Sequence, residues 1–191
     1  MLRRKIVWVP AVLWLSLSAT LCAAPLTFEL DPKATTVAFT FGATLHTVDG
    51  SLRAKEGTIQ VDPETGTAKG WIVLDATSAQ TGNSRRDRKM HEKILESQRY
   101  PDIVFDVERI SGKLTPVGRS EFELHGTLDF HGTKRPIALP VVATSDGRQV
   151  TATGTMIVPY LQWGLKDPSF LFLRVEKEVR VTVKAVGRLS G

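Results

Sequence analysis

The stretch EFELHGTLDF, residues 121–130, decides the fold. Phe122, Leu124, Gly126, Leu128 and Phe130 alternate with Glu121, Glu123, His125 and Asp129. Successive side chains of an extended backbone point to opposite sides, so a period of two predicts a strand with one dry and one wet face.

The same rhythm runs outward in both directions. Downstream, PIALPVV sets Ile137, Leu139 and Val141 on one face. VTATGTMIV sets Val150, Ala152, Gly154, Met156 and Val158 against Thr151, Thr153 and Thr155, and EVRVTVKAV sets Val179, Val181, Val183 and Ala185 against Arg180, Thr182 and Lys184. Upstream, IVFDV gives Ile103, Phe105 and Val107, AKGWIVLDA gives Ala68, Gly70, Ile72 and Leu74, and VAFTF gives Val37, Phe39 and Phe41. Turn signals separate the runs at VDG (48–50), DPETG (62–66), HGTKRP (131–136) and SDG (145–147). With weaker runs at 27–30 and 46–53, these predict an all-β fold, an antiparallel barrel or sandwich of about eight strands or slightly more.

Two stretches break the rhythm. One is PYLQWGLKDPSF, 159–170, a loop or short helix in which Tyr160, Trp163 and Phe170 either cap one end or form a satellite core. The other, SRRDRKMHEKILES, 84–97, is the most charged part of the chain. Ser84 with Asp87 three residues on resembles a capping box, and Met90 and Ile94 share a helical face beside Leu95. A short amphipathic helix is expected, ending before Tyr100-Pro101.

The first residues read as a secretory signal: basic MLRRK, an apolar run too short and interrupted for a membrane span, then small residues. Cleavage is expected between 22 and 24, leaving one domain over 25–191 in the periplasm or outside the cell. Leu21 before Cys22 disfavours a lipid anchor, and Arg3-Arg4 leaves Sec or twin-arginine export open. Without Arg3, Arg4 and Lys5 the 25 basic residues become 22, against 20 acidic, for a net charge of about +2. That balance, with no aromatic platform among the basic residues, excludes nucleic acid as a partner. Cys22 is the only cysteine, so the exported domain has no internal disulfide and relies on an ordinary core.

Taken together, TGNSRRDRKM, LESQRYPDIVFDV, ELHGTLDFHGTKRPIALPV and WGLKDPS before a last valine-rich strand resemble the YceI-like family of secreted lipid- and polyisoprenoid-binding proteins, from about Phe28 to Gly187. The resemblance implies a lipocalin-like antiparallel β-barrel whose lumen holds one long apolar chain, with a helical insertion near the mouth. Arg86-Asp87 stand at the family's Arg-Asp pair; Lys89-Met90 and Ile94-Leu95 depart from its His-Leu and Phe-Phe.

Read alone, the inward rows allow either a packed core or a cavity, since an eight-stranded barrel is only just wide enough for a small ligand. Gly70, Gly126, Ala152, Gly154 and Ala185 on those rows leave room, or serve bulges and close strand approaches. With the resemblance, lumen contacts are expected from Val37, Phe39, Phe41, Ile72, Leu74, Ile103, Phe105 and Val107, and from Phe122, Leu124, Leu128, Ile137, Leu139, Gly154, Met156 and Val181. A Gly154→Phe change is then expected to block binding.

The mouth is expected from Arg85, Arg86, Asp87, Met90, Ile94 and Leu95. Arg85, Arg86 or Lys89 either meets an anionic headgroup or belongs to a solvated face. Neutralising all three is expected to weaken any transient contact with anionic membranes. No nucleophile elbow, P-loop or catalytic cysteine of the mature domain stands in the sequence, and four scattered histidines carry no metal spacing, so no cofactor is expected. The function expected is non-catalytic binding, transport or sequestration of an apolar ligand. An enzyme acting on a lipid or quinone, and a filled structural or stress-linked barrel, are the alternatives.

Overall fold

The structure is a computed structural model and describes residues 25–44, 46–169 and 174–191; the expected signal and Phe170 lie outside the described residues. Among the described residues, nine strands form: β1 Leu26–Leu30, β2 Thr36–Ala43, β3 His46–Val61, β4 Thr67–Gln80, β5 Asp102–Lys113, β6 Val117–Phe130, β7 Thr133–Asp146, β8 Gln149–Val158 and β9 Val179–Ser190. Every pairing is antiparallel. The order β3-β2-β9-β8-β7-β6-β5-β4 returns to β3 and closes an eight-position barrel.

The ninth strand is accounted for by one divided position. β1 pairs with β3 and β9 at one end of the barrel, and β2 pairs with the same two strands at the other. Pro32 cannot donate to a ladder, so the chain turns out between them. Asp31 Oδ1 accepts from the backbone N–H of Lys33 and Ala34. Buried Thr35 re-enters through its hydroxyl, which donates to Val186 O and accepts from Val186 N–H.

Inward rows pack into a core where β1 lies, built on Ile59, Val61, Ala68, Val107, Ile110, Leu124 and Val141. Gly70 and Gly126 do not leave lumen space. A Cβ on either would sit 2.0 Å from the backbone oxygen of Thr58 or Asp106, so both serve close strand approach.

The 84–97 stretch departs from its expected form. The N-cap is Asn83, not Ser84, and its side chain accepts from Arg86 N–H at 3.0 Å. Helix α1, Ser84–Lys89, runs into a π-helical turn, Met90–Ile94, closed by Leu95 N–H to Met90 O at 2.8 Å. Widening the helix by one residue brings Met90, Ile94 and Leu95 all to the barrel mouth. Asp87 does not close a capping box; it accepts from the backbone N–H and hydroxyl of Thr81.

Candidate functional site: a two-chambered lumen

Among the described residues, two cavities stand out along the barrel interior. The wider, about 560 Å³, lies at the mouth; the smaller, about 120 Å³, lies near the end closed by β1. The wide one is within the usual range for a ligand site.

Its walls are apolar: Phe39 and Phe41 from β2, Ile72 and Leu74 from β4, Ile103 and Phe105 from β5, Leu128 from β6, Ile137 and Leu139 from β7, Met156 from β8 and Val181 from β9. Of the other five residues expected in the lumen, three line the second chamber and two line neither. Phe122, Leu124 and Gly154 face the small cavity. Val107 belongs to the core, and Val37, 1% exposed, borders neither cavity. Gly154 faces the small cavity, and even a Cβ there would lie 3.0 Å from Leu139 Cδ2, so a phenylalanine ring would press on a side chain that lines both cavities.

Two connections roof the mouth. One is α1 with its π-turn, which contributes Arg85, Arg86, Lys89, Met90, Ile94 and Leu95. The other, between β8 and β9, contributes Tyr160, Trp163, Leu165, Pro168, Arg174 and Val175. They are joined where Lys89 Nζ donates to Pro168 O at 3.0 Å and Lys166 Nζ meets Glu96 Oε1 at 3.5 Å. His131 Nε2 adds a 3.1 Å contact to Glu96 Oε2. His91 fixes the helix to the barrel, bonding Ala79 O through Nε2 and the buried Ser97 hydroxyl through Nδ1.

The basic residues fall into distinct roles. Arg86 Nε donates to Thr81 Oγ1 at 2.7 Å and its terminal NH2 to Thr81 O at 3.0 Å. With Asp87 on the same threonine, the Arg-Asp pair clamps the exit from β4. Arg85 has no hydrogen-bond or ion-pair partner among the described residues and borders the cavity. No carboxylate is among the described residues lining the wide cavity, whereas four cations are.

Arg135 was hidden in a turn signal, yet it shares the inward parity of Ile137 and Leu139. Its guanidinium donates to Trp163 O at 2.6 Å and Thr133 O at 3.1 Å, and lies 5.1 Å from the Trp163 ring centroid. Trp163 meets Phe130 edge-on at 6.2 Å. Extending the row Leu139, Ile137 by one step would have found it.

The Lys166 charge pulls the Glu96 carboxyl below its ordinary pKa against a smaller opposing effect of burial, with His131 helping. A carboxylate whose folded pKa is lowered stabilises the fold above its unfolded pKa and loses that contribution as pH falls through the folded value. Glu96→Gln should therefore lower the melting temperature at neutral pH, and the gap from wild type should close as pH drops below the ordinary glutamate range. Thermal melts across acid pH measure this; a constant gap would exclude an ionic role.

No helix among the described residues is long and apolar enough to cross a membrane. A profile of the YceI-like domain matches residues 28–187. No curated protein matches the chain. Among solved structures, Burkholderia cenocepacia BcnA superposes with a TM-score of 0.68 at 16% identity, covering 82% of this chain and 98% of that one. A polyisoprenoid binding domain from Saccharophagus degradans, implicated in plant cell wall breakdown, gives 0.64 at 16% identity over 85% and 98%. The Campylobacter jejuni YceI protein gives 0.59 at 16% identity over 76% and 86%. At this identity the likeness is one of fold, the lipocalin-like barrel.

Proposed function

The chain belongs to the YceI-like family, and from that premise we propose that its wide cavity binds one long apolar chain, a polyisoprenoid or a related lipid. The observation that carries this is a 560 Å³ chamber with apolar walls and its cations gathered at the mouth. Each methylene moved from water into such a chamber gains roughly 0.8 kcal/mol, so a long chain binds through area alone. The description of the Saccharophagus degradans domain as polyisoprenoid-binding supports the same choice of ligand class. Nothing in this scheme makes or breaks a bond. The protein, exported to the periplasm as the domain 25–191, would carry or sequester its ligand, meeting a membrane surface briefly to exchange it.

The head of the ligand rests at the rim. Arg85 is unpartnered among the described residues, Arg174 borders the cavity, and Lys89 Nζ donates to a single carbonyl. An acidic head is favoured there. Arg85→Gln with Lys89→Gln should weaken a prenyl phosphate or fatty acid, relative to the matching prenol or fatty alcohol, by roughly three- to tenfold at low salt. Equal losses for charged and neutral heads would count against a rim contact.

Native mass spectrometry of the mature protein, followed by solvent extraction, tests the binding itself. A lipid adduct of defined mass supports it. An empty barrel that also refuses added prenols and fatty acids would return the protein to a structural role.

A further inference from the structure

We infer that Ile72, Leu139 and Val183 form a constriction that sets the length of ligand tail the barrel accepts. This rests on the lipid-binding reading above and adds to it a selectivity device. These three side chains line both cavities. They come from β4, β7 and β9, no two of which are neighbours around the closed sheet. Three half-buried aliphatic groups thus approach from separate sides of the lumen at one height.

Above them lies the wide chamber that opens at the basic rim; below lies the 120 Å³ void. An amphiphile entering tail first, with its head left at the rim, meets the constriction last. Leu139 owes its place to Gly154, since a Cβ there would lie 3.0 Å from Leu139 Cδ2. Gly154 therefore does not enlarge the wide chamber. It makes space for the side chain that closes it. The void beneath is mostly apolar in its lining, with Thr115, Ser120 and Ser145 among it, and would take further methylenes were the constriction removed.

The test is a binding series of unbranched saturated fatty acids of increasing length, read by displacement of a lumenal fluorophore from the full mature protein. For wild type, affinity should rise about fourfold with each added methylene until the tail reaches the constriction, then stop rising. In Leu139→Ala the break should move to longer chains, so that the longest acids bind at least tenfold more tightly than to wild type. Val183→Ala, a smaller truncation, should move it less and carries the test if Leu139→Ala does not fold. Adding Ala152→Leu, which fills the small cavity, to Leu139→Ala should return the break to its wild-type position. A break that stays in place in folded Leu139→Ala and Val183→Ala proteins overturns the constriction while leaving lipid binding intact. Wild-type protein that binds neither fatty acids nor prenols overturns both.

Discussion

Val181→Trp should empty the wide chamber while leaving the barrel folded. Val181 sits at mid-wall, flanked by Phe39 on β2 and Met156 on β8, and all three line the cavity. Overpacking in a filled core costs about 1–3 kcal/mol because neighbours must move. Here the indole enters open volume, so the penalty on folding should fall at or below the low end of that range. The effect on binding is large. Excluding about four methylenes of a ligand chain from the chamber forfeits about 3 kcal/mol, or roughly 200-fold in affinity. Native mass spectrometry should show loss of the lipid adduct, with an unchanged circular dichroism spectrum and a cooperative melt. A folded Val181→Trp protein that keeps its lipid would place the ligand outside this chamber.

Arg135→Ala should loosen the roof. The guanidinium holds the backbone oxygen of Trp163 and the Trp163 ring together against the top of β7, and Trp163 in turn packs on Phe130. Hydrogen bonds from a charged donor contribute about 1.5–3 kcal/mol. A loss near 2 kcal/mol in a chain of this size lowers the melting temperature by about 4–8 °C. Ligand exchange should accelerate because Trp163 covers the chamber. In a Trp71→Phe form of residues 25–191 Trp163 is the only tryptophan, and its emission should shift to the red as water reaches the ring. Arg135→Lys should recover little, since an ammonium cannot reproduce the planar stack and fork. An Arg135→Ala protein with wild-type melting, emission and exchange would reduce the arginine to an ornament of the turn.

The strands were legible in the sequence because alternation reports which face of a sheet a side chain occupies. It does not report height along the barrel. Val107 and Phe105 share one row, yet Phe105 borders the chamber and Val107 lies in the core. Phe122, Leu124 and Gly154 share the inward face and line the smaller chamber, a division by height that alternation does not carry. Gly70 and Gly126 suggested room where they supply close backbone approach, which depends on a partner strand distant in sequence. The weak run at 27–30 proved to be β1, but its place in the sheet, sharing one barrel position with β2 across Pro32, depends on partners distant in sequence. At the mouth, local signals predicted a helix and its apolar face. They could not reveal that Arg86 is committed to Thr81, or that Lys89 reaches Pro168 across the opening.

The divided barrel position also fixes the end of the barrel at which any attachment sits. β1 begins with Leu26 against Val61 and Thr27 against Ser190, so the start of the first strand and the finish of the last lie together at the end away from the basic rim. A tag, a fusion partner or a surface linkage placed ahead of Leu26 or beyond Ser190 hangs from the floor of the barrel. Immobilised by either end, the molecule presents its opening outward, like a cup held by its foot.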